Sequence, residues 1–281
     1  MASDTHNHDD LYHRGLNFDV GTLLRRRRML GMFAGAGLAL TVAGCGPAEE
    51  ATTGTTTASS AASSAASSSS AAAVAGTEIP QETAGPFPGD GSNGPDVLNQ
   101  TGIVRRDIRS SFGTASGVAK GVPLTVDLTI RTLSGGAYAG AAVYLWHCDI
   151  DGRYSLYSQG VTNQNYLRGV QEADASGNVT FTSIFPAAYS GRWPHIHFEV
   201  YPTLAKATSP ANKISTSQLA LPEKVCATVY ATSGYEQSVR NLAGTSLSND
   251  NVFSDGWAQQ LATVTGDVSA GYVASLVVPV G

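Results

Sequence analysis

The sequence predicts an all-β protein, an antiparallel β-sandwich with long loops and little helix, which follows two segments of a different character. Apolar residues alternate with other residues in several short runs, and glycine-rich turns separate these runs. After residue 77 no segment shows a long, well-capped period of 3.6 residues. Charged residues make up only 14% of the 281, and the net charge is −5, so the chain lacks the basic field that a nucleic-acid partner requires.

Residues 1–45 have the three parts of an export signal. Four arginines, 25–28, precede about 15 apolar or small residues, and Val42-Ala-Gly-Cys45 has the form of a lipoprotein cleavage site. The apolar run is shorter than the roughly 20 residues that a membrane-spanning helix needs. The paired arginines resemble a twin-arginine signal. We therefore expect export, with the protein either lipid-anchored through Cys45 at the outer face of a bacterial membrane or secreted after ordinary signal cleavage.

Residues 46–76 predict a disordered linker. They are rich in Ala, Ser and Thr, and from residue 51 onward they contain no charge and almost nothing bulky. Such a tract cannot bury enough apolar surface to offset the entropy lost on ordering. One domain then remains, residues 77–281, which is a common length for a single β domain.

The strands of this domain can be placed in order along the chain. From Val122 to Ile130 every second residue is Val, Leu or Ile, the pattern of a strand with one buried face. Further strands are predicted at 141–148, 178–182 and 195–201, and as a final hairpin of 261–265 and 271–280 around Gly266-Asp267. The region 219–254 is predicted to consist of loops with a short helix.

Two histidines on one predicted strand form a candidate metal site. His195 and His197 are two residues apart, so both imidazoles project from one face, with Cα atoms about 6.5–7 Å apart. The intervening Ile196 and Phe198 would face the core. A rigid strand can hold two ligands for one metal in this way, although two histidines on a polar strand face would give the same pattern.

The surrounding motifs add a resemblance to a known family. Trp146-His-Cys-Asp-Ile-Asp-Gly-Arg precedes Tyr154, a proline-containing turn precedes Tyr189, and Arg192-Trp-Pro-His-Ile-His-Phe198 follows. These elements, in this order over about residues 82–220, resemble the intradiol ring-cleavage dioxygenases, the family of catechol and protocatechuate 3,4-dioxygenases. Glu82-Thr-Ala-Gly-Pro-Phe87 is similar to another segment of that family, in which Phe87 would either line the cleft or simply pack.

The resemblance implies a ligand set and roles for nearby residues. Tyr154, Tyr189, His195 and His197 would bind one non-haem Fe(III), with Tyr189 and His195 axial. Phenolates are hard donors that suit a trivalent ion, and this set differs from the two-histidine, one-carboxylate triad of Fe(II) oxygenases. Arg192 would stabilise negative charge on the substrate, Gln218 matches an active-site glutamine, and Tyr189 would accept a substrate proton.

The implied reaction is the insertion of both atoms of O2 into a catechol-type aromatic. The ring would open between its two hydroxyl-bearing carbons and give a muconate-type diacid. Two departures from the family leave details open. Only five residues separate Tyr189 from His195, which suggests an open site and leaves the catechol derivative undetermined. The long helical N-terminal region that catechol 1,2-dioxygenases use for dimerisation is absent, so the oligomeric state stays open.

Two rival functions remain at this stage. A cupin-like metalloenzyme would use Glu199 as a third ligand beside the two histidines, and a non-catalytic β-sandwich module at the cell surface would need no metal. His147 is predicted to lie outside the site. The cysteines of the domain, Cys148 and Cys226, are expected to form a disulfide in an exported protein, with two separate buried thiols as the alternative.

Overall fold

The computed structural model describes residues 76–281. The predicted signal segment 1–45, the lipid site at Cys45 and all but the last residue of the predicted linker 46–76 lie outside the described residues and stay predictions. No helix within the described part of the chain has the length and apolar character needed to cross a bilayer.

Two four-stranded sheets form the domain. The first sheet has the order β4-β1-β8-β7, and the second has the order β3-β2-β5-β6. The strands are β1 Pro123–Thr132, β2 Ala142–Trp146, β3 Arg168–Glu172, β4 Asn178–Ile184, β5 His195–Tyr201, β6 Ser215–Ala220, β7 Thr263–Asp267 and β8 Gly271–Val280. Two short helices follow β6, namely α1 Glu223–Tyr230 and α2 Glu236–Ala243.

The main core lies between the two sheets, and it is built by alternation. In β1 the residues Leu124, Val126, Leu128 and Ile130 are almost fully buried, while the residues between them are only partly buried. β5 contributes Ile196, Phe198 and Val200 to the same core. Removing a buried phenylalanine side chain costs about 3–5 kcal/mol, so this inward face of β5 supports the stability of the whole domain.

The second sheet is buried on both faces. Its outer face is covered by the long loops, which contribute Val97, Ile103 and Tyr154 to a second apolar cluster with Tyr144 and Trp146 of β2. Burial on both sides explains why all residues of β2 and β5 are buried, with at most 2% of any residue exposed. Because side chains alternate along a strand, His195 and His197 face this loop-covered side.

The predicted sandwich with little helix is confirmed, with three differences in detail. β1 and β8 pair in parallel, with Leu124 opposite Tyr272, whereas every other strand pair is antiparallel. The strands β3 and β6 were not predicted, because neither has an apolar alternation: β3 begins with the buried Arg168, and β6 contains four polar residues. The last hairpin turns at residues 268–270, after β7 has passed through Gly266 and Asp267.

The expected disulfide is wrong, because Cys148 and Cys226 are both free and buried. Cys226 belongs to the core between the sheets, whereas Cys148 belongs to the loop-covered cluster on the outer face of the second sheet. The Cys148 thiol donates a hydrogen bond to the Ala187 carbonyl at 3.5 Å. Burial raises the pKa of both thiols above the ordinary range, so neither is a reactive thiolate at neutral pH.

The two thiols should therefore resist modification until the protein unfolds. Alkylation of the native full-length protein, followed by peptide mapping, should leave Cys148 and Cys226 unmodified. The same treatment in guanidinium, without any reductant, should modify both, and a reductant should not change the thermal unfolding midpoint. A cross-linked peptide that contains both cysteines would show that the bond forms after all.

Candidate metal centre and active site

The predicted site residues come together at one end of the second sheet. His195 and His197 lie on β5, Tyr154 lies in the loop between β2 and β3, and Tyr189 lies in the loop between β4 and β5. Gln218 lies on β6 directly across from His197. The histidines are therefore held by the central strand β5 and Gln218 by the neighbouring edge strand β6, while the tyrosines approach from connecting loops.

The two histidines are locked in orientation by their neighbours. His195 Nδ1 donates to the Trp193 carbonyl, which can only accept, so Nε2 carries the lone pair. The ring of His197 stacks on Trp146, its partner across the strand pair, with centroids 4.9 Å apart and planes 5° apart. The two Nε2 atoms then face each other at 3.1 Å.

A tight turn presents Tyr154. Asp149, which is buried, accepts hydrogen bonds from the backbone N–H groups of Asp151 and Arg153, both at 2.9 Å, and from the Tyr166 hydroxyl at 2.9 Å. Gly152 has a φ of +78°, and a Cβ there would lie 3.1 Å from Tyr189 Cβ. A glycine at this position lets the loops that carry the two tyrosines approach each other closely.

The two helices hold the loop that carries Tyr189. The hydroxyls of Tyr235 and Tyr230 donate to the carbonyls of residues 185 and 186, at 2.8 and 3.0 Å. Ala188 N–H donates to Ser238 Oγ at 3.1 Å, and Asn241 Nδ2 donates to the Ala188 carbonyl at 2.7 Å. The backbone immediately before Tyr189 is thus fixed by side chains from α1, α2 and the turn between them.

The four side chains converge on a single point. Tyr189 Oη lies 3.2 Å from His195 Nε2, which itself lies 3.1 Å from His197 Nε2. The Tyr154 ring centroid is 5.9 Å from that of Tyr189 and 6.1 Å from that of His197. Three of the four are only 2% exposed, and Tyr189 alone is partly exposed.

Burial keeps these groups uncharged while no cation is present. Desolvation, helped by the nearby positive charge of Arg192, holds the pKa of His195 and of His197 well below the usual range. Desolvation, reinforced by the neighbouring phenol of Tyr189, raises the pKa of Tyr154 well above its usual range. The site therefore offers neutral imidazole lone pairs and a phenol that needs an adjacent positive charge to ionise.

These residues fit a trivalent metal ion. Tyr154 Oη is buried and has no hydrogen-bond partner among residues 76–281, which is costly unless another group satisfies it. His195 Nε2 lies 3.1 Å from His197 Nε2 and 3.2 Å from Tyr189 Oη, so a cation at this point would have two imidazole nitrogens and a phenol oxygen within reach. In the described part of the chain no cluster of three or more His, Cys, Asp or Glu could hold a metal ion.

Arg192 is held beside this cluster by two partners. Its Nε donates to Asp250 Oδ2 at 2.9 Å, and its Nη2 donates to Gln218 Oε1 at 2.7 Å. Gln218 Nε2 in turn donates to the Thr83 carbonyl at 2.9 Å. The structure therefore brings the predicted Arg192 and Gln218 together, and it adds Asp250. No sequence motif identified Asp250, because it is distant along the chain and lies in an irregular loop.

The segment that contains Phe87 closes over the histidines. Gly85 has a φ of +69°, and a Cβ there would lie 3.3 Å from Cε1 of His197. The ring of Phe87 packs against that of Tyr154, with centroids 5.1 Å apart. Phe87 is half-buried, so it serves both as a packing partner of Tyr154 and as part of the apolar cover of the site.

Two other candidate residues are occupied elsewhere. The carboxylate of Glu199 accepts from Lys213 Nζ at 2.5 Å and from the Tyr201 hydroxyl at 2.7 Å, so both of its oxygens are engaged away from the histidines. This arrangement argues against the cupin-like reading. The ring nitrogens of His147 bond to the Cys148 carbonyl and to Ser183 Oγ, both at 2.7 Å, which gives His147 a structural role.

Part of this chain is similar to known dioxygenases. A family model described as "Dioxygenase" matches residues 93–199, a span that contains both tyrosines, Arg192 and both histidines. Two relatives named chlorocatechol 1,2-dioxygenase are similar in part: that of Rhodococcus opacus is 36% identical over 22% of this chain, and that of Pseudomonas sp. (strain P51) is 31% identical over 28%. The alignments span only 24% and 38% of those two relatives.

A solved structure agrees with the fold. The intradiol ring-cleavage dioxygenase from Tetranychus urticae superposes with a TM-score of 0.52 at 22% identity, and the match covers 67% of this chain and 91% of that one. At this identity the likeness concerns the arrangement of the strands. The two-sheet architecture described above is therefore shared with a solved dioxygenase.

The buried His147 should make the stability of the protein depend on pH. Burial lowers its pKa to about 4, whereas an unfolded chain protonates histidine near 6.5, so the unfolded state gains the proton first as the pH falls. The free energy of unfolding is therefore at its full value well above pH 6.5, and protonation of His147 in the unfolded chain lowers it by about 3 kcal/mol at pH 4. Urea unfolding of His147→Gln should show a decline with falling pH that is smaller by this amount.

A control variant separates titration from packing. Ser183→Ala removes the hydroxyl that bonds His147 Nε2 but keeps the imidazole, so it should lower stability at both pH values and retain the decline. An equal decline in His147→Gln and in the wild-type protein would assign the pH dependence to other groups.

Proposed function

We propose that the chain belongs to the intradiol ring-cleavage dioxygenase family, as its match over residues 93–199 indicates, and that it cleaves a catechol-type aromatic with O2 at a non-haem Fe(III) centre. The observation that carries the proposal is the buried convergence of two phenols and two imidazoles beside a fixed guanidinium. The ring would open between its two hydroxyl-bearing carbons and give a muconate-type diacid.

Tyr154, Tyr189, His195 and His197 are the residues that would hold the iron. When bound, ferric iron would supply the Lewis acidity and the electron affinity that make a catechol dianion reactive towards O2. The buried Tyr154, His195 and His197 form the fixed part of this set, because each is enclosed by packed side chains. Rigid donors at fixed distances favour one coordination geometry over others.

Tyr189 differs from the other three because it is partly exposed. Its phenol oxygen lies within the cluster, 3.2 Å from His195 Nε2. Because Tyr189 is the most exposed of the four residues, it is the proposed acceptor of a catechol hydroxyl proton. A base must be within hydrogen-bond reach of the proton that it takes, which a substrate bound at this cluster would satisfy.

Arg192 and the covering aromatic residues complete the site. Arg192 is only 4% exposed and its guanidinium is held on two sides, so it offers a fixed positive charge without reorganisation. Such a group stabilises negative charge that develops on the opened ring, and it acts more strongly in a water-poor site. Trp146 and Phe87 reduce water access on the His197 and Tyr154 sides.

The catalytic proposal is favoured over a surface binding module for a specific reason. A binding module gives no account of Tyr154 Oη, which is buried without a partner in the described residues, or of two imidazole nitrogens that face each other. Unsatisfied buried donors and acceptors are destabilising and persist where function requires them.

Oxygen consumption with a substrate panel tests the activity. Full-length protein loaded with iron should take up O2 with at least one of catechol, a chlorocatechol, hydroxyquinol or protocatechuate. The chlorocatechol is included because both partial relatives bear that name. With labelled O2, mass spectrometry should find both oxygen atoms in a diacid cut between the hydroxyl-bearing carbons. Cleavage beside that bond, or no uptake with any ortho-diphenol, would overturn the proposal.

Tyr154→Phe tests the proposed ligand set. Loss of one buried phenolate donor should lower iron affinity by at least about tenfold, since even indirect partners of a metal ligand contribute that much, and should weaken the visible phenolate-to-iron absorption. Tyr157→Phe is the matched control, because the Tyr157 hydroxyl bonds only to Gly89 N–H and the Asn93 carbonyl among the described contacts. Metal analysis and absorption spectra should show the loss in Tyr154→Phe and wild-type values in Tyr157→Phe. Equal iron content in the two variants would contradict the assignment of Tyr154 as a ligand.

A further inference from the structure

The charged partner of Arg192 lies in a loop that no motif identified. Asp250 is fully buried and precedes the short turn Phe253–Asp255. Its Oδ2 accepts from Arg192 Nε at 2.9 Å and from Trp193 N–H at 2.7 Å. The contact joins two regions that are distant along the chain, so it is part of the tertiary arrangement of the site.

We propose that Asp250 is the positioning residue of the active site, which fixes the plane of the Arg192 guanidinium through Nε and thereby aims its charge at the substrate. The proposal rests on the proposed function for its kinetic consequence. The guanidinium has two fixed edges, since Asp250 holds Nε and Gln218 holds Nη2 at 2.7 Å. A planar group held at two atoms cannot rotate about its own axis without losing one of these bonds.

Asp250 also ties this plane to the histidines. It fixes the backbone of Trp193, whose carbonyl accepts from His195 Nδ1. Its Oδ1 accepts from the N–H groups of Val252 at 2.8 Å and Phe253 at 3.2 Å, and the Phe253 ring lies 6.4 Å from that of His195. One carboxylate therefore sets the relative positions of the guanidinium and the first histidine.

The charge of Asp250 matters as well as its shape. Arg192 and Asp250 are both almost completely buried, and each would be an uncompensated charge without the other. The pairing holds the guanidinium in place, yet it leaves a local positive end beside the site, because the carboxylate lies at the Nε edge and also accepts two backbone N–H groups on its other oxygen. Asp250 does not touch the reacting atoms in this arrangement.

Asp250→Asn separates positioning from simple loop capping. The amide oxygen can still accept from Val252 and Phe253, whereas the amide nitrogen would face two donors and lose both Arg192 and Trp193. In iron-loaded full-length protein we expect kcat to fall about 10- to 10²-fold, the effect of a misplaced catalytic group, with KM and the visible absorption nearly unchanged. Asp255→Asn, an exposed carboxylate of the same loop, is the matched control and should keep the wild-type kcat.

A double variant tests whether Asp250 acts through Arg192. If it does, Asp250→Asn should cause no further loss of kcat in an Arg192→Gln background, since residues that act as a unit are not additive. A loss of equal size in both backgrounds would overturn the proposal. A fall in iron content and unfolding midpoint with an unchanged kcat per bound iron would do the same, and would assign Asp250 to folding alone.

A measurement without catalysis distinguishes this proposal from failure of the proposed function. In full-length protein without added metal, the Nε–H of Arg192, identified by its loss in Arg192→Gln, should exchange with solvent at least about 10²-fold more slowly than that of the exposed Arg106. Rapid exchange in the wild-type protein would overturn the proposal even if Asp250→Asn does not fold. Slow exchange in a protein that consumes no O2 would support the positioning role and reject only the dioxygenase activity.

Discussion

The arrangement of this domain depends on the alternation of side chains along β5. The strand buries Ile196, Phe198 and Val200 between the sheets, and on the opposite face it presents His195 and His197 to the loops. Any slip of one residue against β2 or β6 would place imidazoles in the apolar core and phenylalanine in the site. The energy that stabilises the sandwich is therefore the same energy that holds the two histidines in register.

A polar site at this depth is possible because nearly every group in it is neutral or paired. Desolvation keeps the imidazoles and the Tyr154 phenol uncharged, and the buried guanidinium of Arg192 has a buried carboxylate beside it. Among the four proposed ligand side chains, the buried atoms without a hydrogen-bond partner in the described residues are Tyr154 Oη and His197 Nδ1. A bound cation would give Tyr154 Oη the partner that the described residues do not supply.

The strands and site residues could be predicted where the sequence has a regular pattern or motif, and few could be predicted elsewhere. The alternation in β1 and β5 predicted both strands, and the motifs around Tyr154 and Tyr189 pointed to the residues that the fold assembles. β6 escaped prediction because its polar residues are buried by hydrogen bonds, such as those from Ser217 to the Pro80 carbonyl and from Gln218 to the Thr83 carbonyl. Asp250 was not predicted, because its contact with Arg192 forms only when segments distant along the chain come together. The predicted disulfide was wrong because Cys148 and Cys226 are buried in different clusters, which the number of cysteines does not reveal.

The position of β8 has a consequence for how the domain is made. β8 lies inside its sheet, parallel to β1 and antiparallel to β7, with Leu124 opposite Tyr272. The first sheet therefore lacks a central strand until the ribosome has produced residues 271–280, and until then the edge of β1 that will pair with β8 stays unpaired. Pairing over such a separation is slow, because the chain must close a long loop before the contact is gained. We expect this domain to assemble as one cooperative unit only after β8 has been made, and the exposed edge of β1 is the segment that chaperones would most need to protect until then.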